Sequence, residues 1–143
     1  MTEVLIATDA DAVHDEVEAA LADESTTVRR VRAGTEVGPA VAASTPDLVI
    51  LDLQIGNMGG VASCVYLRQE AGAGRLPDVP ILMLLDRTAD IFLARRASAD
   101  GWVVKPLDAF GLRRAATAIL EGHPETDAQP EPEPMLVADV NPQ

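Results

Sequence analysis

The sequence predicts a doubly wound α/β domain, with five parallel strands alternating with five helices. Short aliphatic runs alternate with stretches whose apolar residues recur at helical spacing, which is the pattern of repeated β/α units. The run Leu48–Asp52 has four successive aliphatic residues, and this suits a strand covered on both faces. The chain has 143 residues, which is enough for one domain with its own hydrophobic core.

Four apolar runs and one more polar run predict the strands. The second run is more polar than the others and therefore suits an edge of the sheet. The third ends on a carboxylate, and glycines at positions 56, 59 and 60 then indicate a loop. In chain order, strands are expected over Val4–Ala7, Thr26–Val31, Leu48–Asp52, Val79–Leu85 and Trp102–Val104.

Helical spacing and capping residues predict the helices. Asp9 or Asp11 is expected to cap the first helix, Thr88 the fourth and Asp108 the fifth. The second contains a glycine and a proline, which predicts a poor helix. Helices are expected over 13–21, Gly34–Ala43, Gly60–Ala71 and Thr88–Arg96, and after Asp108.

Composition excludes several classes of function. The net charge is -12, which argues against a nucleic-acid-binding surface because phosphate contacts need clustered Lys and Arg. The single cysteine, Cys64, excludes an internal disulfide and is expected in the core. No apolar run approaches the ~20 residues of a membrane span, and no signal peptide is recognised. We expect a cytoplasmic protein with no nucleic-acid or membrane partner.

The last residues have a different composition from the rest. Residues 123–143 contain five prolines, five acids and no Lys or Arg. Such a segment buries too little apolar surface to offset chain entropy, so the sequence predicts a domain over 1–122 and a disordered tail over 123–143. Within the tail, Met135–Val137 is either a short docking motif or, on composition, an ordinary solvated segment.

Charged residues follow several predicted strands at the point where each ends. Asp9 follows the first strand, Asp52 ends the third, Asp86 follows the fourth and Lys105 follows the fifth. The carboxyl ends of parallel strands share one edge, where open α/β sheets place their sites. Two carboxylates and a lysine there suit Mg²⁺ and a phosphoryl group. Alternatively, Asp9 caps a helix and Lys105 only pairs with Asp52.

This arrangement resembles the receiver domain of bacterial two-component response regulators, which has a flavodoxin-like, CheY-like fold. The resemblance covers about Val4 to Leu120. Each motif is weak alone, but their order and spacing within a fivefold β/α alternation are specific. The residues that carry it are Thr8–Asp9, Asp52 with Gly60 eight positions on, and Lys105–Pro106.

The resemblance implies a role for each of these residues. Asp52 would be the phosphoacceptor, and the phosphohistidine of a histidine kinase or a phosphotransfer protein would be the donor. Mg²⁺ would be bound by Asp9, Asp52 and the backbone carbonyl of Gln54. Lys105 would contact the phosphoryl oxygens, and its peptide bond to Pro106 would be cis.

The resemblance also implies a switch and an output surface on the fourth helix, fifth strand and fifth helix. Trp102 occupies the place of the switch aromatic, and a downstream protein partner would contact a surface that includes Phe92, Arg95, Trp102 and Arg113. Two departures bear on function. Thr8 replaces an acid, which weakens the cation site. Leu85 replaces the hydroxyl that should bond the phosphoryl group, which predicts altered switching.

Two functions from different classes therefore remain open. The first is a stand-alone receiver that accepts a phosphoryl group on Asp52, without a DNA-binding or enzymatic output domain. The second is a pseudo-receiver, an interaction module that signals without phosphate. An enzyme with a diffusible substrate is not expected. A homodimer is left open.

Overall fold

Five parallel strands form one sheet in the computed structural model, which describes residues 1–122. The expected tail over 123–143, with its Met135–Val137 segment, lies outside the described residues. The strands are β1 (Thr2–Ala7), β2 (Thr26–Val31), β3 (Leu48–Asp52), β4 (Ile81–Leu85) and β5 (Gly101–Val104). Their order is β2-β1-β3-β4-β5, so that β2 forms an edge as its polarity predicts.

Five helices connect the strands, and the predicted doubly wound fold is confirmed. They are α1 (Asp11–Leu21), α2 (Val37–Ala43), α3 (Gly60–Gly72), α4 (Ile91–Arg96) and α5 (Ala109–Leu120). Short 3₁₀ turns, Gly34–Glu36 and Thr88–Asp90, lead into α2 and α4. None of the helices within residues 1–122 has the length and apolar character needed to cross a membrane.

The unbroken apolar runs in β3 and β4 are explained by helices on both faces of the sheet. Alternate strand residues point to opposite faces and join separate hydrophobic clusters. Leu51 and Leu85 belong to the cluster that also contains residues of α2, α3 and α4. Ile50 and Leu84 belong to the cluster with residues of α1 and α5. The central strands therefore have no polar face, and polar residues can appear only where a strand ends.

The predicted cap of α1 is wrong. Ala10 is the N-cap residue and makes no side-chain cap bond. Asp11 is instead the first helical residue, and its carboxylate accepts a hydrogen bond from Arg30 on β2 at 2.8 Å. Asp9 accepts the backbone N–H of Gly56 at 3.1 Å. Both carboxylates therefore accept hydrogen bonds from other segments of the chain instead of capping α1.

The other two capping predictions had opposite outcomes. Thr88 does not cap α4, because it lies inside the 3₁₀ turn that precedes this helix. In that turn the Asp90 carboxylate accepts the N–H of Arg87 at 2.9 Å. Asp108 does cap α5, and its Oδ2 accepts the N–H of Gly111 at 2.8 Å. The cap was predictable where the helix follows directly, and not where a turn intervenes.

Replacing Leu85 with threonine should destabilise the protein. Leu85 is fully buried in the cluster that also contains Ile91 and Trp102. The Leu85→Thr variant loses apolar contacts and buries a hydroxyl, so we expect the free energy of unfolding to fall by about 2–4 kcal/mol. Urea denaturation measures this loss. Leu120→Thr, at a position that is 42% exposed, is the control and should cost under about 1 kcal/mol. Equal losses would contradict the packing described.

Candidate functional site

The Asp52 carboxylate lies at the carboxyl end of the central strand β3, and its side chain is only 2% exposed. Three donors hold it. Lys105 Nζ, after β5, lies 2.8 Å from Oδ1, and the backbone N–H of Gln54 lies 3.1 Å from the same oxygen. The hydroxyl of Thr8 donates to Oδ2 at 2.6 Å. The predicted meeting of Asp52 and Lys105 at this edge is therefore observed.

Thr8 is a hydrogen-bond donor to Asp52, a role that the sequence did not indicate. Its side chain is buried, and its hydroxyl oxygen also accepts the N–H of Ala10 at 3.1 Å. Its backbone carbonyl accepts Nε of Arg30 at 2.9 Å. These contacts fix the hydroxyl against one oxygen of the buried carboxylate. Where a second acid would repel Asp52, Thr8 instead donates a hydrogen bond to it and carries no charge.

Asp9 lies at the same edge but is not bonded to Asp52. It is exposed, and its Oδ2 accepts the N–H of Gly56 at 3.1 Å. That bond joins the segment after β1 to the loop after β3. The second oxygen of Asp9 has no hydrogen bond within residues 1–122, so this carboxylate keeps acceptor capacity at the edge of the sheet.

The loop between β3 and α3 packs closely against the end of β3. A Cβ atom on Gly60 would lie 2.6 Å from the carbonyl oxygen of Asp52 and 2.8 Å from the Cα of Leu53, so only glycine fits there. Asn57 and Met58 have φ angles of 52° and 77°, in the left-handed region. Steric exclusion of a side chain therefore explains the glycine eight positions after Asp52, because Gly60 begins α3 in direct contact with the backbone of Asp52.

Asp86 is a site residue to which sequence reasoning assigned no role. Its Oδ1 lies 3.1 Å from Lys105 Nζ, and its Oδ2 accepts Nε2 of Gln54 at 2.6 Å. The sequence contained a signal for it. Successive side chains of a strand point in opposite directions. Because Leu85 points into the hydrophobic cluster with Trp102, the next residue, Asp86, points away from that cluster at the edge of the sheet.

The opposite charges of Lys105 and its carboxylate partners shift the pKa values of Lys105 and Asp86 so that each favours its charged form. Burial alone would lower the pKa of Lys105, but hydrogen bonds to Asp52 and Asp86 and the charges of both carboxylates outweigh it and raise that pKa. Partial burial would raise the pKa of Asp86, but hydrogen bonds from Gln54 and Lys105 and nearby positive charge hold that pKa below its ordinary value. Lys105 is therefore charged, and Asp86 ionised, at neutral pH.

The oxygen donors at this edge suit a hard divalent cation. Asp9 and Asp52 supply carboxylates, and the carbonyl of Gln54 belongs to the adjoining loop. The donor chemistry fits Mg²⁺. Within residues 1–122, the one group of three acidic or histidine side chains with ligand atoms within 4.8 Å of one another lies elsewhere, on α1: His14, Asp15 and Glu18. It is largely exposed, and nothing else there indicates an ion.

The predicted switch and output residues occupy two environments. Leu85 and Trp102 are buried in the same hydrophobic cluster. Phe92 on α4 is 57% exposed, and the guanidinium of Arg96 lies 5.2 Å from the centroid of its ring. Arg95 lies over the ring of Trp102 at 6.0 Å. The Lys105–Pro106 peptide bond is cis, as the resemblance implies.

Sequence comparisons identify similar proteins. The model of the response regulator receiver domain matches residues 4–117. Transcriptional regulatory protein CseB of Streptomyces avermitilis is 31% identical over 126 residues, which cover 85% of this chain and 51% of that protein. DNA-binding response regulator MtrA of Mycobacterium leprae is 34% identical over 110 residues, covering 76% of this chain and 44% of that protein. The chain thus spans about half the length of these relatives.

Solved structures share the fold. The receiver domain of NtrX from Brucella abortus is 25% identical with a TM-score of 0.71, and the match covers 82% of this chain and 98% of that one. The signal receiver domain of a signal transduction histidine kinase from Syntrophus aciditrophicus is 25% identical with a TM-score of 0.74. That match covers 89% of this chain and 96% of that one.

Removing Asp9 should weaken Mg²⁺ binding. Asp9→Ala deletes one carboxylate of the proposed donor set, so we expect a loss of affinity of at least about tenfold. Amide shifts of the β3–α3 loop during a Mg²⁺ titration measure this, with Gly56 as the nearest reporter. Asp15→Ala is the matched control, because Asp15 belongs to the acidic group on α1. Weakening by Asp15→Ala but not by Asp9→Ala would place the cation on α1.

Proposed function

The chain belongs to the family of response regulator receiver domains, and from that premise we propose that Asp52 accepts a phosphoryl group in a two-component phosphorelay. The donor is the phosphohistidine of a histidine kinase or a phosphotransfer protein. One observation carries the proposal. The carboxylate that ends the central strand lies 2.8 Å from a lysine ammonium, at the edge where parallel sheets place their sites.

The transfer is a displacement at phosphorus. One carboxylate oxygen of Asp52 attacks the phosphorus, the bond from phosphorus to the imidazole nitrogen breaks, and that nitrogen keeps the electron pair. The Thr8 hydroxyl and the Gln54 N–H orient the carboxylate for attack. Lys105 then shifts its ammonium from Asp52 toward a phosphoryl oxygen, where it acts as a point charge.

Mg²⁺ held by Asp9, Asp52 and the Gln54 carbonyl would offset the negative charge of the phosphoryl oxygens. Catalysis of phosphoryl transfer depends mainly on positioning and electrostatics, so the chain needs few further groups. With Thr8 in place of an acid, the site has one carboxylate fewer for the cation. The neutral hydroxyl in turn adds no repulsion against the incoming phosphoryl group.

A protein partner would read the signal on the surface of α4, β5 and α5. This surface presents Phe92 and Phe110, which are 57% and 66% exposed, with Arg96 and Arg114 over their rings. The sequences of α4 and α5 contain four arginines and no acid. The exposed rings and this positive charge suit a partner that offers apolar and acidic side chains.

For residues 4–117 we propose phosphoryl acceptance and no contact with DNA. Two relatives are named as a transcriptional regulator and a DNA-binding regulator, and this chain spans about half of each. The net charge of -12 opposes contact with DNA phosphates. Action as a stand-alone receiver stays a prediction for this chain.

One observation favours the alternative function, a pseudo-receiver that signals without phosphate. The end of β4 carries Leu85, whose side chain is fully buried and offers no hydroxyl to a phosphoryl group. A ligand shifts a conformational equilibrium only through differential contacts in the two states. The absence of this contact weakens the coupling between Asp52 and Trp102, but it does not remove the acceptor itself.

Phosphorylation of Asp52 can be measured directly. Incubation with acetyl phosphate and Mg²⁺ should add the mass of one phosphoryl group to the wild-type chain, and Asp52→Asn should abolish the addition. Asp78→Asn is the matched control, since it removes the same charge from an exposed residue that pairs with Arg68. Addition that persists in Asp52→Asn would contradict the assignment, and none in wild type would favour the pseudo-receiver.

A further inference from the structure

Four residues at the carboxyl edge of the sheet close a ring of hydrogen bonds. Asp52 Oδ1 accepts from Lys105 Nζ at 2.8 Å, and Lys105 Nζ also donates to Asp86 Oδ1 at 3.1 Å. Asp86 Oδ2 accepts from Gln54 Nε2 at 2.6 Å, and the backbone N–H of Gln54 returns to Asp52 Oδ1 at 3.1 Å. Asp86 connects the lysine to the side chain of Gln54, in the loop after β3.

We propose that Asp86 is a positioning residue that restrains Lys105 and thereby limits the rate at which Asp52 accepts a phosphoryl group. The inference rests on the proposed phosphoacceptor function. Lys105 is shared between two carboxylates in this structure, so its charge is partly neutralised before any phosphoryl group arrives. To contact a phosphoryl oxygen, the ammonium must give up part of its contact with Asp86.

The charge balance gives the direction of the effect. Transfer replaces a singly charged carboxylate at Asp52 by an acyl phosphate that carries about two negative charges. Asp86 remains as a further negative charge bonded to the same lysine. The Asp86 carboxylate and the acyl phosphate would both lie next to Lys105, so their negative charges repel each other. Because the site is partly buried, solvent and salt screen this repulsion only in part. Asp86 therefore favours the unphosphorylated state over the transfer step and its product.

Gln54 and Leu85 explain why Asp86 occupies this place. Leu85 fills the inward position at the end of β4, so the following residue is free to face the edge of the sheet. The Gln54 amide then holds one carboxylate oxygen of Asp86 and leaves the other for Lys105. The Asp86 side chain is 29% exposed, so that its replacement does not open the core.

The test compares acceptance rates in variants that separate charge from shape. Asp86→Asn keeps the shape and removes the charge, Asp86→Glu keeps the charge, and the exposed Asp78→Asn controls for net charge. The intact mass of each variant is followed with time in the presence of acetyl phosphate and Mg²⁺. Each variant is also made in combination with Asp52→Asn, to show that the mass is gained through Asp52. We expect Asp86→Asn to accept about five- to tenfold faster than wild type, with Asp86→Glu near wild type.

Salt supplies a second readout that a purely structural role would not affect. The ratio of the Asp86→Asn rate to the wild-type rate should fall as ionic strength rises, because mobile ions screen the repulsion. Equal rates in wild type and Asp86→Asn, or fast acceptance by Asp86→Glu, would overturn the inference while leaving Asp52 as the acceptor. A slower Asp86→Asn would overturn it too. If no variant gains mass through Asp52, the proposed function fails and the inference fails with it.

Discussion

A carboxylate at the end of a buried central strand must be paired, and the rest of the site depends on that requirement. Desolvating an ionised carboxylate without a partner is very costly. Asp52 is 2% exposed and is held by the Lys105 ammonium, the Thr8 hydroxyl and the Gln54 N–H. These donors come from the ends of β5 and β1 and from the loop after β3. The parallel order of the sheet brings the three segments to one edge.

The ion pair also defines what the site can do. A buried carboxylate with three donors is held in one orientation, and in the proposed function it would be a well-positioned nucleophile whose oxygens already have partners. A phosphoryl group that arrives must draw Lys105 away from existing partners. In the proposed function, the contacts that stabilise the unphosphorylated state oppose the reaction, and the proposed effect of Asp86 is to favour the unphosphorylated state. Thr8 orients the carboxylate without adding charge.

The fold and the core of the site were predictable because they follow from patterns along the chain. Four apolar runs and one more polar run identified the strands, and the position of Asp52 at the end of one run located the edge. Contacts between loops were not predictable. Asp9 was considered as a cation ligand or as a helix cap but bonds the N–H of Gly56, and Thr8 was treated as a missing acid but donates to Asp52. Such bonds depend on how two loops approach in space, which hydrophobic periodicity does not encode.

A double-mutant cycle on Asp52 and Lys105 tests the central claim most directly. Removing one partner of a buried pair leaves an uncompensated charge, so Lys105→Met should cost about 3 kcal/mol of unfolding free energy in urea. Adding Asp52→Asn to Lys105→Met should then recover more than about 1 kcal/mol, because no buried charge is left unpaired. Strictly additive effects of the two substitutions would contradict the account, since they would show that Asp52 does not depend on Lys105.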